Sequence, residues 1–161
     1  MAATEEQKAL AQQVREMLLA ELESRKFKFT ESTYGEDIVF KFTVIGKDLP
    51  IPLSVIIRPA QTLVSIISRL TFDIPVERRV EMAVAVAAVN YGFYEGTFDY
   101  SVPKGRIDFR LTSNFRGGSF SRELSGHLIS RSIRIVDMYN DKLLALANGT
   151  INIQHFLEIV K

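Results

Sequence analysis

His127 and His155 are the only histidines in this chain of 161 residues, and cysteine is absent. Without thiols there is no disulfide framework, thiolate zinc site, thiol nucleophile or redox motif to consider. An imidazole serves a metal or a general-base mechanism when a carboxylate or a nucleophile stands beside it. His127 lies four residues after Glu123 on a predicted helix, which is the spacing of an ordinary surface pair. His155 follows Gln154 in a short terminal helix and has an equally plain reading. The carboxylates Asp73, Asp99, Asp108 and Asp137 are scattered, and Asp99 alternates with Phe98 and Tyr100 so that it faces solvent. No catalytic residue, metal ligand or cofactor site is assigned, and the chain reads as a non-enzyme.

One segment has the makings of an anion site. Arg116, Gly117, Gly118 and Ser119, with Arg122 just beyond, precede a predicted helix, whose first N–H groups attract negative charge. The segment lacks the Gly-Lys-Ser/Thr ending of a P-loop and the spacing of a dinucleotide fingerprint. A serine-capped connection from strand to helix explains the same residues. Around it, Lys104, Arg106, Arg110, Arg116, Arg122, Arg131 and Arg134 outnumber Asp108, Glu123 and Asp137. Nucleic acid is nevertheless disfavoured, because the strand face Arg106-Asp108-Arg110-Thr112 offers no aromatic for a base and the pI is only about 8.0. The basic segment reads as a solvated face, or as a patch that meets the acidic first helix of a second chain.

The elements that position these groups follow from periodicity. Thr4, with Gln7 three residues on and Glu5 and Glu6 between, marks a helix start. Leu10, Val14, Met17, Leu18 and Leu22 carry that helix to about residue 24, with an acidic outer face. From Phe27 the period becomes two. Strands are expected over 27–33, over 38–44 with Ile38, Phe40, Phe42 and Val44 on one face, over 53–58 and over 63–70, joined by short turns that allow only antiparallel neighbours. The third and fourth are apolar on both faces, which places them inside a sheet or under a partner.

Ile74-Pro75 opens a second helix and Gly92 closes it. Its Val80–Val89 run is apolar on every side, so it is expected to be covered all round. A hairpin turning at Pro103-Lys104-Gly105 joins strands 97–102 and 106–114. A long helix follows over 122–147, capped by Ser119 or Ser121, with a break or kink expected at Asn140-Asp141 and an end at Asn148-Gly149. A short helix through Phe156, Leu157 and Val160 completes an order of one helix, four strands, one helix, two strands, a long helix and a short one. This is an α+β class with an antiparallel sheet, in one domain over 1–161.

The Ile-Pro opening, the Asn90-Tyr91-Gly92-Phe93 ending, the following Gly96-Thr97-Phe98 strand, the hairpin and the long capped helix together resemble the YbjN-like bacterial domains. Those domains are sometimes described as sensory transduction regulators and are similar in fold to class I type III secretion chaperones. The likeness spans about residues 5–150. It implies a curved sheet packed against helices, frequent dimerisation, and binding of other proteins without catalysis. Such chaperones tend to be acidic, whereas this chain has a net charge of +1, which argues against a secretion-effector client.

Two apolar faces on the 122–147 helix exceed what a single sheet needs to cover. Leu128, Ile129, Ile133 and Val136 are accordingly the candidate partner surface, for a second copy or an unidentified protein client. The first residues have no basic n-region or apolar h-region, and the Met82–Val89 run is far short of the ~20 residues a membrane span requires. The expected setting is the cytoplasm, with no membrane partner. The alternative function is a small-molecule or nucleotide sensor built on the Arg116-Gly117-Gly118-Ser119 loop.

Overall fold

The computed structural model describes residues 2–160. The first helix, α1 (Glu5–Ser24), starts on a complete capping box: the Thr4 hydroxyl accepts from the Gln7 N–H, and the Gln7 side chain accepts from the Thr4 N–H. Six strands follow the expected sequence: β1 (Phe29–Tyr34), β2 (Asp37–Ile45), β3 (Pro50–Arg58), β4 (Leu63–Arg69), then β5 (Thr97–Ser101) and β6 (Arg106–Asn114). They form one sheet in the order β1-β2-β3-β4-β6-β5, every neighbouring pair antiparallel. The doubly apolar β3 and β4 occupy its centre.

Strand β3 begins three residues earlier than periodicity predicts and takes in Pro50 and Pro52. This is tolerated because β4 pairs with β3 only from Ser54 onward, so the prolines stand where no second neighbour calls for an N–H. The inward face carries Phe40, Phe42, Leu53, Val55, Ile66, Phe109 and Leu111, all buried. Against it pack α1 and the long helix α3 (Arg122–Ala147). Helix α3 is continuous through Asn140-Asp141, contrary to the expected break. Asn140 is buried, with its side-chain amide oxygen accepting from the Asp141 N–H at 2.7 Å. Ser121 supplies the N-cap by accepting from Leu124.

Helix α2 (Arg79–Tyr91) lies along β5, and the short α4 (Ile153–Ile159) packs beside it. The opposite face of the sheet carries no helix among the described residues.

Candidate functional site

Polar clamps fix both ends of α2. At its start, the Ile74 N–H donates to the Gly105 carbonyl at 2.7 Å, and the Arg79 guanidinium donates to the carbonyls of Pro103 at 2.6 Å and Ile74 at 3.2 Å. The Tyr100 hydroxyl donates to the Arg79 carbonyl, and burial pushes its pKa up. At the other end the Asn90 side chain bonds the backbone of Phe98 on β5. The helix therefore cannot roll, and one face is committed to the core: Met82, Ala85, Val86 and Val89 are buried.

The outward face contradicts the expectation that this helix is covered all round. Val80 is 77% exposed, Val84 50% and Tyr91 95%, with Ala87 also exposed between them. Residues 80, 84, 87 and 91 recur at spacings of four, three and four, which draws a straight apolar stripe along a helix. Beside the C-terminal end of the stripe a groove of about 560 Å³ separates α2 from α4, lined by Ala88, Tyr91, Gly92, Leu157 and Val160. One turn before α2, Val76 is 72% exposed. The alternation of valine and alanine left this face invisible to periodicity, because both faces carry the same residue types.

The partner surface expected on α3 is instead core. Leu128, Ile129 and Val136 are buried and Ile133 is half-buried against the same cluster, because α3 crosses the sheet while α4 and α2 cover its other side. Helix α4 supplies the cover that the sequence left unassigned.

The glycine loop does not gather its arginines. Gly117 and Gly118 have left-handed φ angles of 63° and 72° and open space around them, and Ser119 ends a short 3-10 turn. Arg116 turns away to donate to the Thr62 hydroxyl at 3.1 Å, and Arg122 reaches Glu21 of α1 at 3.5 Å. Of the basic segment, Arg122 thus meets the acidic first helix of its own chain. The remaining acids Glu5, Glu6, Glu16 and Glu23 stay exposed.

His127 pairs with Glu95 at 3.0 Å rather than with Glu123, since the loop after α2 folds back over α3. Both partners are about half exposed, and Arg131 approaches the same carboxylate at 3.8 Å. A hollow of about 210 Å³ lined by His127, Ser130, Arg131 and Arg134 lies alongside. His155 faces Glu158 at 3.8 Å on the surface of α4. On the open sheet face the arginines are paired across strands. Arg110 donates to Asp99 at 2.6 and 3.1 Å, and Arg69 to Asp108 at 2.8 and 3.3 Å. These hydrogen bonds hold both guanidinium pKa values above their ordinary value. No group of three or more metal-ligating side chains occurs among the described residues, and no helix there is long and apolar enough to cross a membrane.

A six-stranded antiparallel sheet with α1 and α3 on one face, and α2 lying along β5, is the YbjN-like α+β fold. Among solved structures that carry it is YbjN from E. coli, a proposed transcription regulator, which superimposes with a TM-score of 0.58 over 83% of this chain and 92% of its own, at 12% identity. No protein-family model matches the sequence, and no curated protein matches it significantly.

Proposed function

We propose that this chain is a non-catalytic protein-binding domain, regulatory or chaperone-like, that works in the cytoplasm as a homodimer. The observation that carries this reading is the stripe of Val80, Val84, Ala87 and Tyr91 on a helix that clamps at both ends hold in place. An apolar face of this kind, continued into a groove and rimmed by charge, is what protein partners cover. The likeness to a proposed regulator supports the same class. The titratable groups point the same way, because the acids and arginines of the sheet face neutralise one another and the one histidine–carboxylate contact near a hollow is half exposed. Neither nucleic acid nor membrane is required as a partner.

The test is capture of a protein partner by the tagged domain, followed by reconstitution from purified components. Wild type is expected to bind at fixed stoichiometry and Val84→Asp, with unchanged circular dichroism, to lose at least tenfold in affinity. Equal binding by both would remove the stripe from the function.

A further inference from the structure

We propose that the hollow on α3 lined by His127, Ser130, Arg131 and Arg134 binds the terminal phosphate of a small phosphomonoester, a dianion that enters by displacing Glu95. The site goes beyond the protein-binding reading and stands or falls independently of it.

Positions 127, 130, 131 and 134 have the spacing i, i+3, i+4 and i+7, so they share one face of α3. Arg131 and Arg134 are thus neighbours of like charge, which is unfavourable unless an anion lies near both. The acids of their own helix do not supply it. Asp137, three residues beyond Arg134, accepts instead from the Lys47 N–H at 2.7 Å, and His127 bonds Glu95 in place of Glu123.

Donors therefore exceed acceptors on this face. Among the described residues Arg134 alone of the arginines has no carboxylate, hydroxyl or carbonyl partner. The Arg131 Nε is shielded from water and also lacks a hydrogen-bond acceptor, because the Glu95 carboxylate stands 3.8 Å away, beyond hydrogen-bond reach. A shielded donor with nothing to donate to is uncommon in folded proteins and calls for an acceptor.

Glu95 is a local anion that a stronger one replaces. It is half exposed on the loop between α2 and β5, and it touches His127 at 3.0 Å while only approaching Arg131. Once it swings out, the two guanidinium charges face the ligand alone. A phosphomonoester brings three acceptor oxygens and a charge of about −1.5 to −2 at pH 7. That matches two guanidinium forks, an imidazole and a hydroxyl, more donors than the two oxygens of a carboxylate can take. The volume of about 210 Å³ is below the ~300–1,000 Å³ of pockets that enclose drug-sized ligands, so the phosphate enters and the ester body stays outside.

The test is titration of the full chain with inorganic phosphate and phenyl phosphate at constant ionic strength, read by amide chemical shifts. Acetate and dimethyl phosphate are the carboxylate and diester controls. Expected is saturable binding of both dianions with Kd at or below ~1 mM, shifts centred on residues 95 and 127–134, and controls weaker by about fivefold or more. Arg134→Ala, a change at an exposed side chain, should weaken phosphate binding about fivefold with unchanged circular dichroism, and Glu95→Gln should strengthen it about threefold. Val84→Asp should bind phosphate as wild type does, which separates this site from the stripe on α2. No saturation by ~20 mM phosphate, or shifts centred on residues 116–119, would overturn the site. Equal affinity for dimethyl phosphate would overturn the monoester and favour a nucleic-acid backbone or a lipid diester. Unchanged affinity in both Arg134→Ala and Glu95→Gln would overturn the roles given to these residues.

Discussion

The Asn90 carboxamide exchanges two hydrogen bonds with the backbone of Phe98, accepting from its N–H at 2.8 Å and donating to its carbonyl at 2.9 Å. Phe98 sits on β5, an edge strand whose outer groups would otherwise be open to another strand. A side chain on α2 thus completes the pairing of a β-strand and locks the helix to the sheet. At the opposite edge no backbone group other than those of β2 pairs with β1 among the described residues.

Replacing Asn90 with Ala leaves two part-buried backbone groups without partners, at ~1–3 kcal/mol for each group that stays unsatisfied. Urea unfolding should show a lowered midpoint with an unchanged slope. Asn90→Asp should be worse at neutral pH, because a carboxylate would face the Phe98 carbonyl. An unchanged midpoint for both would remove the clamp from the account of stability.

Glycine substitutions should separate by packing. Gly105 has φ 65°, and a Cβ there would stand 2.5 Å from the Ile74 carbonyl oxygen. Gly105→Ala combines left-handed strain of ~1–2 kcal/mol with a backbone clash of ~1–3 kcal/mol. Gly117→Ala meets nothing within 4 Å, so only the strain applies. Denaturant midpoints should therefore fall much further for Gly105→Ala than for Gly117→Ala.

Acidification should release the start of the chain. Glu36, in the β1–β2 turn, accepts from the Ala3 N–H at 2.8 Å and faces Lys8 at 3.5 Å. The bond from Ala3 comes first among the causes that hold its carboxyl below the usual range. A folded-state value that is lowered contributes stability above the ordinary carboxylate range, and that stability is lost as pH falls through the lowered value. Protection of the Ala3 amide, relative to its intrinsic exchange rate at the same pH, should fall there, and Glu36→Gln should remove the dependence.

Single-stranded nucleic acid should not bind tightly. Arg69 and Arg110 are each held by a strand neighbour's carboxylate through two hydrogen bonds, and Arg116 and Arg122 point into the fold's own partners. Titration with a random oligonucleotide should give no salt-dependent affinity at or below ~1 μM, a signature of counterion release. If such an affinity appeared and its salt slope flattened in Arg106→Ala/Arg110→Ala, the functional class proposed would be wrong.

Local chemistry determined the elements. Thr4 and Gln7, Pro75, Gly92, Gly149 and the period-two run of Ile38, Phe40, Phe42 and Val44 act on neighbours within a few residues, so sequence alone located the helices and strands. Turns too short for a crossover likewise made the hairpins antiparallel. Which apolar faces remain open was decided by tertiary structure, because covering a face depends on elements distant in sequence. Leu128, Ile129 and Val136 on α3 became core once the sheet, α2 and α4 assembled around that helix, whereas Val80, Val84 and Tyr91 were left outside. His127 found Glu95, thirty-two residues away, and Arg122 found Glu21, across one hundred and one. Such partners have no local signature: helical spacing identifies a residue's face, and only the packed chain identifies what that face meets.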